Sequence, residues 1–376
     1  LKRGPNSVFG LLWDAESMSD ERLVVALPVK DEAERLSASL HALTNQDGMN
    51  ALSVLVLVNN STDDSAAIAR SFSATAKIPV LVEDVVLREP DASAGGARRL
   101  AVHMAAELAG DDGIILTTDA DGRVAPDWLR ANLRALRAGA DAVAGRAVID
   151  PADMIESDAR ECQYAALLDE ISAAFDPDPA DPWPRHDQHS GASIAVTVDA
   201  FHRAGGIPRV EMGEDRAFFR NLRRIDARIR HDPDVQVVVS GRTEGRARGG
   251  MADTLRRRLA CPDMFLDDRL ETAQVAALRA RLRRKTRLLW ADDAADYWAV
   301  LALARDLGLP SIFVREKLGC RRFGTSWDEL ETASPVLRRH PVPVAAVSSE
   351  IAIACSILSA RRMPAMPLDQ AVGISA

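Results

Sequence analysis

Four short apolar runs divide residues 22–118, and each is followed by a stretch with helical spacing. The runs are "RLVVALPV" (22–29), "LSVLVLV" (52–58), "IPVLVEDVV" (78–86) and "GIILTT" (113–118). After the first, "DEAERLSASLHAL" (31–43) puts Leu36, Leu40 and Leu43 on one helical face. After the second, Ser61, Thr62 and Asp63 are N-cap residue types for a helix to about Ser73. "SAGGARRLAVHMAAEL" (93–108) reads as a glycine-started helix, and "PDWLRANLRALRAG" (126–139) as a helix with proline in its first turn. A strand apolar at every position is buried on both faces, which is how parallel strands lie between two helix layers. The sequence therefore predicts an α/β, Rossmann-like, mostly parallel sheet with helices on both faces. Ligands of such sheets gather beyond the carboxyl ends of the strands. Pro28, Asn59, Asn60, Asp119 and Asp121 fall there.

Past residue 150 the pattern changes. A helix is expected over 153–174, then the Pro- and Asp-rich "FDPDPADPWPRHDQ" (175–188) reads as a loop or lid. "ASIAVTV" (192–198) and "DVQVVVSG" (234–241) are strand signals, with the helix "GEDRAFFRNLRRID" (213–226) between them. From 251 onward the text is helical and arginine-rich. The chain divides into an N-terminal extension (1–21), the strand–helix region (22–150), a mixed region (151–250) and a helical C-terminal region (251–376). "MSDERLVVALPV" (18–29) reads as a start just ahead of the first strand.

The net charge of −8 gives no general attraction to nucleic acid or to anionic membrane. The four cysteines, Cys162, Cys261, Cys320 and Cys355, are too far apart for a metal knuckle or a redox pair. No secretory signal is read at the start, so a reduced, cytoplasmic protein is expected. The longest apolar stretch, "VPVAAVSSEIAIACSIL" (342–358), is broken by Ser348, Ser349 and Glu350 and is expected to be a buried helix, not a transmembrane segment.

Several motifs can carry chemistry. Asp119 and Asp121 are separated by one residue, so on an extended segment both face one side. Oxygen-rich side chains at a strand end suit Mg²⁺ or Mn²⁺, while "DADG" is also good turn chemistry. Asp31 and Glu32, like Glu214 and Asp215, can simply favour a helix N-terminus. Gly95 and Gly96 permit close backbone approach near a helix start, where an anion is favoured. Arg242, Arg246 and Arg248 stand among glycines, either as phosphate forks or as a solvated loop. His186 and His189 lie on the Pro/Asp loop and can meet a metal, an acceptor or neither.

Taken in order, "PVKDE" (28–32), "NNSTDDS" (59–65), "GGARRLA" (95–101), "DAD" (119–121), "GGIP" (205–208) and "GEDRAF" (213–218) resemble the nucleotide-sugar glycosyltransferases of family 2. That family has the A-type glycosyltransferase fold, and the resemblance covers roughly residues 22–250. It implies that 22–150 bind the nucleotide sugar and that 151–250 bind the acceptor and complete catalysis. Pro28, Val29, Asp31 and Glu32 would cradle base and ribose. Asp121 would hold the metal with Asp119, and Asp119 would also meet ribose or sugar hydroxyls. Arg98 would face the nucleotide, Glu214 would also contact the nucleotide sugar, and Asp215 would be the general base that deprotonates an acceptor hydroxyl. Arg246 and Arg248 would close on the diphosphate. At the end of the second strand the family usually has an aspartate bonded to the base. Asn59 stands there instead, with one residue fewer before Ser-Thr-Asp, which leaves base preference open because an amide both donates and accepts.

The expected activity is transfer of a sugar from a nucleotide diphosphate sugar to an acceptor hydroxyl, metal-dependent and with inversion. A retaining transferase of the phosphoglycerate-dependent type shares many of these motifs. A nucleotidyltransferase would want a basic, glycine-rich loop where "PVKDE" is acidic. A non-catalytic sugar-nucleotide-binding protein would not need both acidic motifs. The helical region either shapes an acceptor pocket or forms a homo-oligomer contact.

Overall fold

β1 (Leu23–Val29) and β2 (Leu52–Asn59) are buried almost throughout, because the sheet they share is covered on both faces. The computed structural model describes residues 22–46, 51–150, 156–243, 245, 251–261, 263–292 and 296–362. Val25, Leu27 and Val29 turn to the face covered by α1 (Leu36–Thr44) and α4 (Trp128–Arg137). Val24 and Ala26 turn to the opposite face, under α3 (Ala94–Ala109), α6 (Val198–Arg203) and α7 (Glu214–Arg224). Each such valine or leucine contributes roughly 1.5–3 kcal/mol by full burial.

The remaining strands are β3 (Val80–Val85), β4 (Ile114–Thr117), β5 (Arg123–Val124), β6 (Ala142–Ile149), β7 (Ile194–Thr197) and β8 (Ile229–Val239). Their spatial order is β3-β2-β1-β4-β7-β6-β8-β5. β3, β2, β1 and β4 are parallel, as the apolar runs predict. β7 then runs antiparallel to both β4 and β6, and β5 antiparallel to β8. The sheet is thus mixed, with its all-parallel half confined to the first four apolar runs. β6 was not legible, since "AVAGRAVI" is poor in large apolar residues. A register shift between Gly145 and Arg146 interrupts its parallel pairing with β8. From β1 the chain moves outward to β2 and β3, then returns to β4 on the other side of β1. The crevice at the carboxyl ends of β1 and β4 is therefore a topological switch point, where ligands of such sheets bind.

Helix α2 (Ser65–Ser73) follows β2, and α5 (Glu156–Phe175) opens the second region. The C-terminal region holds α8 (Met251–Ala260), α9 (Ala273–Trp290), α10 (Tyr297–Leu307), α11 (Ser311–Leu318), α12 (Phe323–Ala333) and α13 (Val347–Arg362). α5, α9 and α13 share a core around Tyr164, Ile171, Ala277, Ala354 and Leu358. Glu350 anchors α13 by accepting from the Tyr164 hydroxyl at 3.1 Å and from Ala273 N at 2.8 Å. The expected buried helix is buried on one face only, with Ala352, Cys355, Ser356 and Ser359 exposed. By length and composition alone, Val344–Arg361 is apolar enough to cross a membrane, where the sequence reading expected no such segment.

Candidate active site

The loops after β1 and β2 are tied together. Asp31 adopts a left-handed φ of 51° and accepts at Oδ1 from Thr62 N at 2.7 Å. Its own N–H donates to Ser61 Oγ at 3.1 Å. Glu32 N donates to Ser65 Oγ at 2.9 Å, and Ala33 N to Asp63 Oδ2 at 2.9 Å. The acidic pair therefore sits in a turn, and α1 begins only at Leu36. Ser61, Thr62 and Asp63, expected to cap α2, all serve this inter-loop seam, and Asp63 Oδ1 also accepts from Ser65 N at 3.0 Å.

Asn59 lies buried at the end of β2, where Nδ2 donates to the Val29 carbonyl at 2.8 Å. A carboxylate cannot make that bond. The amide that departs from the family pattern thus closes the ends of the first two strands.

Arg98 is the centre of the site. It is buried, and its guanidinium donates to Asp119 Oδ1 at 2.5 Å, Glu214 Oε1 at 3.1 Å, Thr117 Oγ1 at 3.2 Å and the Gly191 carbonyl at 2.8 Å. Burial opposes the charge, but Asp119 and Glu214 outweigh it and hold the guanidinium well above its usual range. Two glycines make the packing feasible. A Cβ at Gly191 would come within 2.6 Å of the Arg98 guanidinium, and one at Gly95 within 3.0 Å of Glu214 Oε2. Asp215, at the start of α7, accepts from Gly191 N at 2.8 Å. Both acidic motifs are thereby fixed to one arginine and one loop glycine.

Asp121 faces a different cation. Arg242, beyond β8, lies 3.0 Å from Asp121 Oδ2 and clasps Glu32 with both terminal nitrogens. Burial and the neighbouring Asp119 push the Asp121 carboxyl up to about 6, against the pull of Arg242. Arg242 was visible in the sequence as one of three arginines, but its partners lie too far away in the chain to be read there. Arg246 and Arg248 lie outside the described residues. Pro28, Glu32, Asn59, Arg98, Asp119, Asp121, Glu214, Asp215 and Arg242 all line one cleft.

A second polar cluster stands on the 176–191 loop. His189 Nε2 is 2.9 Å from His231 Nε2, and His231 Nδ1 is 2.8 Å from Asp181 Oδ2. Ligand atoms of Asp187, His189 and His231 lie within 4.8 Å of one another, a spacing that can hold a cation. Arg223 Nη1, 3.3 Å from His189 Nε2, already brings positive charge there. Sequence reasoning missed His231 because its strand half, "IRHDPD", looks like a loop.

The model of glycosyl transferase family 2 matches residues 24–173. Those residues are a family 2 glycosyl transferase domain. Among solved structures, this glycosyltransferase is similar to the mannosyltransferase PcManGT from Pyrobaculum calidifontis, in complex with GDP-Man and Mn²⁺. Identity is 17% over 92% of this chain and 88% of that one, with a TM-score of 0.46. It is also similar to residues 1–349 of TarS from S. aureus in complex with UDP-GlcNAc, at 15% identity over 84% of this chain and 90% of that one, with a TM-score of 0.47. No curated protein matches the sequence.

Proposed function

We propose that this glycosyltransferase moves a sugar from a nucleotide diphosphate sugar to an acceptor hydroxyl with inversion, with Mg²⁺ or Mn²⁺ held at Asp121. The observation that carries the reading is the Arg98 junction, which brings Asp119 and Glu214 to one guanidinium and Asp215 to the same loop glycine. These contacts support a reading in which Asp119 and Asp121 serve the donor and Asp215 the acceptor.

The residues fit a hard divalent cation. Asp121, Asp119 and Glu32 offer only oxygen ligands, and among the described residues their three carboxylates meet one cation on this wall, Arg242, at Asp121 and Glu32. Asp121 would hold the ion, with Asp119 oriented beside it by Arg98. When bound, such an ion neutralises the charge that grows on the departing diphosphate.

The chain's own groups do the rest. Of the residues expected to cradle the nucleoside, Pro28 and Asn59 line the cleft and would face it, whereas Val29 is buried in the core and Asp31 ties the β1 loop to the β2 loop. Arg242, released from Glu32 and Asp121, can fork onto phosphate oxygens. Asp215 accepts the acceptor's hydroxyl proton as the oxygen attacks the anomeric carbon and the bond to the nucleoside diphosphate breaks. The Gly191 N–H fixes the orientation of this carboxylate.

A thermal-shift panel of UDP-, GDP- and dTDP-sugars, with and without Mn²⁺, tests the reading, because a ligand of the native state raises stability with occupancy. A metal-dependent shift with one donor, followed by donor turnover, is the expected outcome. Binding without any turnover would identify a sugar-nucleotide-binding protein instead.

A further inference from the structure

Most arginines turned to the wall that carries Asp215 have a partner. Arg185 donates to the Asp181 carbonyl at 3.0 Å and to Ser172 Oγ at 3.0 Å, Arg269 to Asp267 Oδ1 at 3.0 Å, and Arg223 lies against His189. Arg146 differs. It is half-buried and lines the same cleft, and its side chain makes no hydrogen bond or ion pair among the described residues. It stands at the register shift of β6 and β8. Such irregularities re-aim a side chain and are over-represented beside active sites.

His186 is its neighbour across the cleft wall. The residue after Arg146 fixes this placement, since Ala147 N donates to Gln188 Oε1 at 3.1 Å. Gln188 N in turn donates to His186 Nδ1 at 3.1 Å. With Nδ1 accepting, the ring proton of neutral His186 is on Nε2. That nitrogen is buried and has no hydrogen-bond partner among the described residues, in a residue only 7% exposed. A buried donor left unpaired costs about 1–3 kcal/mol, so its retention beside an unpaired guanidinium calls for an acceptor that both can reach. The adjacent carboxylates do not fill that role. Asp181 is taken by His231 at 2.8 Å and Arg230 at 3.2 Å, and Asp187 turns towards His189 at 4.0 Å.

We propose that Arg146 and the Nε2–H of His186 form an anion subsite that takes a carboxylate or phosphate carried by the acceptor. The inference rests on the glycosyltransferase reading above for its placement on the acceptor side. The loop that holds His186 continues to Gly191, which bonds Asp215 Oδ2 at 2.8 Å, whereas Glu32 and Asp121 lie on the wall closed by Arg242. An acceptor anchored by its anion at Arg146 would present a hydroxyl towards Asp215. The guanidinium supplies charge and a fork, and the neutral imidazole supplies one directed donor.

The test uses the full chain and two probes in parallel, a nucleoside diphosphate panel with Mn²⁺ and inorganic phosphate, each titrated by calorimetry. Phosphate is expected to bind nucleotide-saturated wild-type protein, and Arg146→Gln to weaken it at least tenfold, with nucleotide affinity within twofold of wild type. Arg146→Lys should fall between, since it keeps the charge and loses the fork. Glycerate and glycerol phosphate, but not glycerol, should displace the phosphate if the site serves an acceptor's anion. Displacement by neither would assign the subsite to free phosphate and overturn the acceptor role. Equal phosphate affinity in wild type and Arg146→Gln, or phosphate that competes with the nucleotide, would overturn the subsite itself. Failure of every nucleotide to bind either protein would instead overturn the glycosyltransferase reading, whatever the phosphate result. The unliganded melting temperature of Arg146→Gln should not fall, because the side chain has no partner to lose among the described residues.

Discussion

Arg98 and Glu214, 116 positions apart, are joined at 3.1 Å, and the same guanidinium holds Asp119 at 2.5 Å. Two carboxylates and one buried cation thus form a unit that links α3, the end of β4 and the start of α7. Removing the cation would leave Asp119 and Glu214 facing each other without compensation. Breaking a buried pair by deleting one partner costs about 3–5 kcal/mol. Arg98→Met is expected to lose stability of that order in urea denaturation, and Arg98→Lys to recover only part of it, since one ammonium cannot reach four acceptors. A loss below about 1 kcal/mol in Arg98→Met would show that the junction is not structural.

Asp121 is the metal residue in the proposed reaction. Asp121→Ala should abolish Mn²⁺-dependent binding of a nucleoside diphosphate. The fold should survive, because Arg242 keeps its clasp on Glu32. Calorimetry with and without Mn²⁺ decides the point, and an unchanged metal-dependent affinity would move the ion elsewhere, with Asp187, His189 and His231 the next place to look.

His186 makes the protein acid-sensitive. Burial, with the nearby His231, pushes its imidazole down to about 3 from an ordinary 6.5. The folded state therefore keeps His186 neutral where the unfolded chain would protonate it. Its contribution to stability is full above pH 6.5 and is lost progressively as pH falls towards 3. Between pH 6.5 and 4.5, Glu or Asp titration aside, His186→Gln should lose less stability than wild type, by roughly 2 kcal/mol. Urea midpoints at the two pH values measure this. Parallel losses in both proteins would mean that His186 charges freely in the native state.

The four parallel strands were legible because each is a run of apolar residues, and the switch point followed from their carboxyl ends. β6 was not, since alanine, glycine and arginine carry no strand signal when pairing on both sides does the work. β8 was legible only in its second half. Its first half holds His231 and Asp232, whose burial depends on Asp181 and Arg134, residues that no local pattern connects to it. Among site residues, the acidic motifs stood out by spacing. Arg242 could be seen only as one basic residue among three, because its partner Glu32 is 210 positions away. Arg146 gave no signal, as its distinction is a side chain without a partner among the described residues.

Asn59 turns a departure from the family pattern into a measurable difference. Its Nδ2 donates to the Val29 carbonyl at 2.8 Å in a buried setting. Asn59→Asp would set a carboxylate against that carbonyl and leave both acceptors without a donor, at a cost of about 1–3 kcal/mol. If the amide oxygen also meets the base, Asn59→Ala should weaken nucleoside diphosphate binding by about 1–2 kcal/mol. Unchanged affinity in Asn59→Ala would confine the residue to closing the strand ends.

The proposed base is Asp215, and its assignment turns on what its carboxylate can do that an amide cannot. A hydroxyl is a poor nucleophile near neutral pH, and a carboxylate in hydrogen-bond reach can take its proton as the glycosidic bond forms, typically worth 10²–10⁴-fold in rate. Asp215 is held by Gly191 N on one oxygen and by Arg216 N at 2.7 Å on the other, at the N-terminus of α7. Those bonds orient the group, and the in-plane lone pairs they leave are free for an acceptor. Asp215→Asn retains the size of the side chain and its bond from Gly191, but loses the basic oxygen. The variant should lower kcat by at least about 10²-fold with donor affinity nearly unchanged, the pattern of an interaction made only in the transition state. Rates and donor affinity measured on the same preparation separate this from misfolding. Wild-type turnover in Asp215→Asn would remove the base. A product of retained anomeric configuration would do so as well, since attack from the face opposite the leaving phosphate is what requires a base on the Asp215 wall.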